Sequence, residues 1–138
     1  MEITSEIPHH LLFSKSKILD QVKVSIVIPV KDEELHILQT LEAFKNQTDL
    51  SGNPFDFNSF EILILANNCF DNTVSIIEEF QQNNPDLNIV LENIKLEPHQ
   101  AKIGYVRKLL METAFKRVCE NEVGIIMTTD GDTLVSEN

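Results

Sequence analysis

Glycine is scarce in this chain of 138 residues, which contains four, and no Gly-Lys-Ser or Gly-Lys-Thr sequence occurs. The chain therefore lacks a P-loop, whose glycine-rich turn cradles phosphates and ends in that triplet. No Gly-x-Ser-x-Gly sequence occurs either, so the nucleophile elbow of an α/β-hydrolase is excluded. Any phosphate-binding or nucleophilic chemistry must be built differently.

Cysteine is also rare. Cys69 and Cys119 lie 50 positions apart without a Cys-x-x-Cys motif, so neither a disulfide framework nor a zinc site is indicated. The four histidines show no metal-type spacing. We expect a reducing compartment, and Cys69, at the end of an apolar segment, is interpreted as a small packing residue rather than a nucleophile.

Positive charge is limited to 11 Lys and Arg residues against 22 Asp and Glu residues, a net charge of −11. Nucleic acids and anionic membrane surfaces require a cationic footprint, so neither is expected as a partner. Long apolar runs are absent, and residues 1–21 lack the basic start and apolar centre of a signal peptide. The sequence predicts no transmembrane segment in this chain and a cytoplasmic location.

The chain is long enough for one domain, and 42% of its residues are apolar. We interpret residues 1–21 as an N-terminal arm and residues 22–138 as the folded part. β-Branched and apolar segments predict strands that alternate with amphipathic helices. The strands are expected at 22–30, 60–66, 88–91 and 123–129, with helices at 35–47, from about 73 onward and at 100–119. This order predicts an α/β fold, a mostly parallel sheet with helices on both faces.

Ligands of such sheets bind outside the carboxyl ends of the strands. That rule selects the turn Pro29–Glu34, whose acidic residues also suit the start of the following helix, the turn Asn67–Asn72, and the residues after Thr129. The last of these begins Asp130-Gly131-Asp132 after a strand expected to be buried. Two carboxylates there suit Mg²⁺ or Mn²⁺ held together with substrate phosphates, and a simple polar turn is the alternative.

Basic residues concentrate in one stretch, residues 95–117, where six of them against two acidic residues give a net charge of +4. A cationic segment around a helix start is suited to a diphosphate. The alternative is a solvated helix face on which Lys108, Glu112 and Lys116 pair at i, i+4 spacing, and we favour it for these three. Lys102 and Arg107 have no such pairing in the sequence and stay candidates for diphosphate binding.

Four blocks of the sequence, in order, are VSIVIPVKDEE, FEILILANNCFDNT, HQAKIGYVRKLLMETA and GIIMTTDGDT. Together they resemble family 2 glycosyltransferases of the GT-A fold from residue 22 to about residue 136. The resemblance implies binding of a UDP- or GDP-type sugar, with a divalent metal, Mn or Mg, at a DxD motif. It assigns the metal to Asp130 and Asp132, with Thr133 directly after. The implied nucleotide-binding residues are Pro29, Asp32, Glu33, Asn67, Asn68, Asp71, Lys102, Arg107 and Asp130, and Thr73 matches the end of the second turn.

Two departures from the family pattern bear on function. Ala66 stands where the family commonly has an acidic residue that contacts the base, and an amide at Asn67 or Asn68 is a candidate replacement. The family's acceptor-binding half and catalytic carboxylate follow its DxD motif, and this chain ends six residues after Asp132. We therefore expect a truncated nucleotide-binding part with no assigned catalytic residue, which alone is a poor or inactive catalyst.

Two other classes of protein remain open from the sequence. One is a receiver-like signalling module, with Asp32 to Glu34 and Asp130 as a phosphoacceptor pocket. The other is a degenerate, non-catalytic fragment that binds a partner through a bare sheet edge or helix face. A second copy of this chain is one candidate for covering that bare surface.

Overall fold

The computed structural model describes residues 13, 18, 21–47, 50–53, 56–98, 103–119 and 124–128. Strands and helices alternate through these ranges as expected, with one short 3₁₀ helix at 57–59 before the second strand. The strands are β1 (Val24–Val30), β2 (Phe60–Asn67), β3 (Ile89–Ile94) and β4 (Ile125–Thr128). The α-helices are α1 (Ile37–Lys45), α2 (Thr73–Asn83) and α3 (Ile103–Cys119).

The four strands form one sheet in the order β3-β2-β1-β4, and all three pairings are parallel. The predicted α/β fold with a parallel sheet is confirmed. The chain adds β2 and β3 on one side of β1 and then returns to place β4 on the other side. This reversal puts the topological switch point between β1 and β4, where open α/β sheets bind ligands.

Side chains alternate between the two faces of the sheet, as a period of two requires. On one face, Ile26, Ile28 and Val30 of β1 pack with Ile62 and Ile64 of β2 beneath α1 and α2. On the other face, Val27 packs with apolar residues of α3. Because β1 and β2 are covered on both faces, their sequences are nearly continuous apolar runs.

Three sequence expectations need correction. β3 extends to Ile94, three residues beyond the predicted end. α1 begins at Ile37 and has no acidic residue in its first turn. The acidic residues Asp32 to Glu34, expected in that turn, precede the helix. β4 is not buried, since Ile125 and Met127 are 60% and 49% exposed. As an edge strand it has β1 alone as a neighbour among the described strands.

A buried ion pair joins the sheet to α3 near the amino ends of the strands. Glu61 in β2 is fully buried, and its two carboxylate oxygens accept hydrogen bonds from Arg117 Nη2 at 2.7 Å and Nε at 2.9 Å. Ser25 lies opposite Glu61 in the register and donates its hydroxyl to the same carboxylate at 2.6 Å. Arg117 also donates to the carbonyl oxygen of Phe13 at 3.2 Å. A buried carboxylate is thereby paired and hydrogen-bonded, the condition under which such a charge is tolerated.

The predicted N-terminal arm contributes to the core. Phe13 is 2% exposed and packs with the apolar residues between the sheet and α3. Its φ of 59° is unusual for a bulky residue, and the carboxylate of Glu92 accepts its N–H at 3.0 Å. Ile18 is also buried, in a small cluster with Val22 and Val118. Two residues of the predicted arm, Phe13 and Ile18, therefore pack against the folded part.

Candidate functional site

Two loops lie side by side at the carboxyl edge of the sheet because β1 and β2 are parallel neighbours. We call the β1–α1 loop, residues 31–36, and the β2–α2 loop, residues 68–72, together the clasp, since hydrogen bonds tie one loop to the other. Asp32 Oδ1 accepts the backbone N–H groups of Phe70 at 2.7 Å and Asp71 at 3.2 Å. A carboxylate that binds two consecutive N–H groups fixes the path of the second loop.

Further bonds, with donors in both loops, complete the clasp. Asp71 Oδ2 accepts the N–H of Glu34 at 3.3 Å, and Glu34 Oε1 accepts the N–H of Asn72 at 2.9 Å. The N–H of Glu33 donates to Thr73 Oγ1, at the first residue of α2, at 2.8 Å. The sequence-predicted residues Asp32, Glu33 and Asp71 are thus brought together.

The Asp71 carboxylate also organises the start of α2. Its Oδ1 accepts the backbone N–H of Thr73 at 2.9 Å and the Thr73 hydroxyl, the arrangement of an Asx turn. Partial burial raises the pKa of Asp71, but the hydrogen bonds from Thr73 and Glu34 lower it by more, so the net pKa lies below the usual 3.8. Asp71 is therefore held as a carboxylate at neutral pH.

Asn68 joins the clasp to the segment after β3. Its side-chain amide donates to the carbonyl oxygen of Leu96 and accepts the N–H of Leu96, both at 2.9 Å. Its backbone N–H donates to Ile94 at 3.0 Å. Asn68 and Asp32 have φ values of 53° and 52°, a left-handed conformation that Asn and Asp tolerate better than most residues. The Asn68 amide thus has one donor and one acceptor already in use.

The other predicted residues of these strand ends differ in accessibility. Pro29 is buried within β1, one residue before its end, and Ala66 is buried in the core beneath α1 and α2. Asn67, the last residue of β2, is 4% exposed and faces away from that core. The acidic side chain that the family resemblance leads one to expect at Ala66 would be buried at this site, which the apolar surroundings disfavour.

Most of the residues predicted to bind the diphosphate and the metal lie outside the part of the chain that the structure describes. Lys102, Asp130 and Asp132 lie outside the described residues. Arg107 is exposed near the start of α3. In the part of the chain that the structure describes, no group of three or more His, Cys, Asp and Glu side chains is arranged to hold a metal ion. The two-carboxylate site at Asp130 and Asp132 stays a prediction.

The position of Cys69 agrees with its interpretation as a packing residue. It lies against the core beneath α1 and α2, and its thiol donates to the carbonyl oxygen of Val30 at an Sγ–O distance of 3.8 Å. Burial is the largest influence on its pKa and raises it above 9.0; a hydrogen bond with the Asp32 backbone lowers the pKa by less, and the nearby carboxylates of Asp32 and Asp71 raise it further. A raised pKa lowers the thiolate fraction, so the site does not activate this cysteine as a nucleophile.

Phe70 lies within the clasp, although the sequence analysis did not select it. It lies in the middle of the β2–α2 loop, between Cys69 and Asp71, and 80% of its surface is exposed. The available signal was a large aromatic residue within the polar turn 67–72. The clasp therefore presents carboxylates, one exposed lysine, Lys31, and one exposed phenyl ring at the carboxyl edge.

The parallel sheet with its switch point, carrying helices on both faces, is the fold of GT-A glycosyltransferases. The chain belongs to glycosyl transferase family 2, whose family model matches residues 25–137. This assignment disfavours the receiver-like alternative. No match was found among the curated proteins.

Solved structures resemble the chain at the level of fold. TarS 1-349 of S. aureus has a TM-score of 0.62 at 22% identity, over 84% of this chain and 29% of TarS 1-349. Its complex with UDP-GlcNAc has a TM-score of 0.62 at 17% identity, over 84% and 28% of the two chains. The mannosyltransferase PcManGT from Pyrobaculum calidifontis, in complex with GDP-Man and Mn²⁺, has a TM-score of 0.60 at 19% identity, over 83% and 29%. The present chain thus spans less than a third of each of these proteins.

No helix within the described ranges is both long enough and apolar enough to cross a membrane. The cytoplasmic location and the association of two copies stay predictions.

Proposed function

We propose that this chain binds a nucleotide-diphosphate sugar at the carboxyl edge of its sheet, as the donor-binding part of a glycosyltransferase that transfers the sugar to an acceptor. The observation that carries the proposal is the clasp, which bridges the ends of β1 and β2 beside the switch point between β1 and β4. Its carboxylates suit a ligand rich in hydroxyl groups, because ionised carboxylates act as hydrogen-bond acceptors.

The charge of the clasp indicates how such a ligand would lie. Asp32, Glu33, Glu34 and Asp71 place four carboxylates in the two loops, against Lys31 and the imidazole of His36, whose Nδ1 lies 3.9 Å from Glu33 Oε1. Negative phosphates are repelled by such a group, whereas ribose and sugar hydroxyls are not. We therefore propose that the base and ribose lie over the clasp and that the diphosphate lies toward β4 and the start of α3.

Individual residues receive roles on this basis. Lys102 and Arg107 would neutralise the diphosphate, as cations near the start of a helix do. Pro29, Asn67 and Asn68 would form the floor at the strand ends, and Asp32, Glu33 and Asp71 would shape the ribose site. The Asn68 amide has one donor and one acceptor left, because the contact with Leu96 uses the others.

Asp130 and Asp132 would hold a divalent metal, Mn²⁺ or Mg²⁺, with Asp130 also close to the nucleotide. They follow β4, which runs parallel to β1, so the chain leaves β4 at the same edge as the clasp. Carboxylate oxygens suit both ions, and the bound ion would supply positive charge beside the diphosphate. The Mn²⁺ in the PcManGT complex supports a metal at this kind of site.

The donor nucleotide is proposed only as UDP or GDP, since TarS has been solved with UDP-GlcNAc and UDP and PcManGT with GDP-Man.

An alternative function, a partner-binding α/β module without catalysis, is supported by one feature, the exposed apolar side chains of the edge strand β4. An edge strand with apolar side chains favours association with another chain.

Calorimetric titration with UDP and GDP, each with and without Mn²⁺, tests the proposal. We expect binding that requires Mn²⁺ and is lost in Asp132→Ala, while Asp86→Ala, an exposed carboxylate in the turn before β3, binds as the unchanged chain does. At a ligand concentration of about 100 times the dissociation constant, binding adds roughly 2.7 kcal/mol to the free energy of unfolding. Absence of binding to both nucleotides would contradict the proposal and favour the partner-binding alternative.

A further inference from the structure

Phe70 is exposed although the loop that carries it is firmly held. Its backbone N–H donates to Asp32 Oδ1 at 2.7 Å, and the flanking residue Asp71 is fixed by bonds to Asp32, Glu34 and Thr73. The ring itself is 80% exposed. Isolated apolar residues on a surface are common, so exposure alone carries no argument. The argument comes instead from the position of Phe70 on a rigid loop at the carboxyl ends of the strands, where ligands of such sheets bind.

Several polar atoms around this ring are hydrogen-bonded within the protein. Asp32 Oδ1, both oxygens of Asp71, Glu34 Oε1 and the Asn68 amide bind backbone groups of the loops or of Leu96. Asn67 is 4% exposed and offers little surface to a ligand. The Asn68 amide keeps one donor and one acceptor, which suit hydroxyl groups of a ligand, whereas the exposed Phe70 ring suits the flat face of a base.

We propose that the Phe70 ring is the platform on which the nucleobase of the donor stacks, an inference that rests on the proposed nucleotide-sugar site. Flat aromatic faces attract through dispersion and burial of apolar surface. Every nucleobase has such a face, so this contact tolerates a change of base. The assignment implies that uridine and guanosine diphosphates both gain from Phe70 and that discrimination between them is weak at this contact.

The chain contains no tryptophan, so a single one introduced by substitution is a specific optical probe. In Phe70→Trp, saturating UDP or GDP with Mn²⁺ is expected to quench the fluorescence, because the stacked base contacts the indole. Phe115→Trp is the matched control, since Phe115 is 60% exposed on α3 in the half of the helix that lies toward the amino ends of the strands. Pyrophosphate with Mn²⁺, which has no base, is expected to leave both signals unchanged.

Affinities give the second readout. Phe70→Ala is expected to weaken binding of UDP and GDP by roughly ten-fold, within the range for one base–aromatic contact, and Phe70→Tyr to restore it. Binding of pyrophosphate, measured by competition with UDP, is expected to be the same in all three chains. A loss through general damage to the clasp would instead reduce pyrophosphate and nucleotide binding together.

The results separate the two proposals. If the unchanged chain binds UDP with Mn²⁺ but Phe70→Ala binds it equally well and Phe70→Trp shows no quenching, the stacking role is wrong and the nucleotide site stands. Equal losses for pyrophosphate and UDP would also overturn stacking. If the unchanged chain binds neither nucleotide, both proposals fall.

Discussion

Removing the positive charge of Arg117 is expected to destabilise the fold severely. Arg117→Met keeps an unbranched side chain of similar reach but leaves the carboxylate of Glu61 fully buried without its ionic partner. Breaking a buried pair from one side costs about 3–5 kcal/mol, a large part of the typical 5–15 kcal/mol stability of a domain. The carbonyl oxygen of Phe13 also loses its bond to Arg117, which adds to the loss.

Thermal and urea unfolding followed by circular dichroism measure this effect. We expect the melting temperature of Arg117→Met to fall by on the order of 10 °C. Lys116→Met is the control, because it removes the same charge one residue earlier from an exposed position, where substitutions usually change stability by about 0.5 kcal/mol or less.

A second substitution distinguishes an unpaired charge from lost packing. In Glu61→Leu with Arg117→Met the buried carboxylate is gone, so the double variant is expected to be more stable than Arg117→Met alone. Recovery is incomplete, because the Ser25 hydroxyl loses its acceptor at a cost of about 1 kcal/mol. Equal stability of Arg117→Met and Lys116→Met would refute the reasoning. So would additive effects of Glu61→Leu and Arg117→Met in the double variant.

Three further predictions concern the clasp. In Asp71→Asn, stability should be lower than in the unchanged chain at pH 7. The difference should start to shrink near pH 3.8 and vanish as pH falls through the lower pKa of the folded state, because the carboxylate stabilises only while ionised; urea unfolding from pH 2 to 7 measures it. Asp32→Ala should cost about 1–3 kcal/mol in urea unfolding, through two lost bonds and an alanine at positive φ, whereas Lys31→Ala should be near neutral. Iodoacetamide at pH 8 should label exposed Cys119 before Cys69, and the reverse order would contradict the packing role.

The sheet was predictable because its strands carry the signal of double burial. FEILILA and VSIVIPV are nearly continuous apolar runs, which indicate a strand covered on both faces. β4 has a similar composition, so its exposure could not be predicted; it depends on the strand order, which places β4 at an edge. The composition of a strand therefore indicates whether it is suited to burial, but the strand order determines which elements cover it.

The site was predictable in position but less so in detail. Parallel strands bring their carboxyl ends to one side of the sheet, so the strand predictions selected the turns 29–34 and 67–72, and the family resemblance then selected Asp32, Glu33 and Asp71 within them. The bonds from Asp32 to Phe70 and Asp71 span 38 and 39 residues of sequence, and nothing local to either loop specifies such a pairing.

The ion pair between Glu61 and Arg117 left a signal that went unused. Glu61 interrupts an apolar strand, and Arg117 lies seven residues after Leu110, on the same face of α3. A buried charge in a strand requires a partner, but the sequence could not identify which of six basic residues in 95–117 supplies it.

The most direct test of the central claim is to locate the nucleotide by paramagnetic broadening of backbone amide signals with UDP and Mn²⁺, using UDP and Mg²⁺ as the reference. β1 is seven residues long, so the amino and carboxyl ends of this strand lie roughly 20 Å apart. Paramagnetic broadening falls steeply with distance and therefore distinguishes the two ends. The account predicts UDP-dependent broadening at Glu34 and Phe70 in the clasp, with Lys23 and Ser59 at the opposite edge unaffected. Broadening at the opposite edge, or at the clasp to the same extent with Mn²⁺ alone, would contradict it.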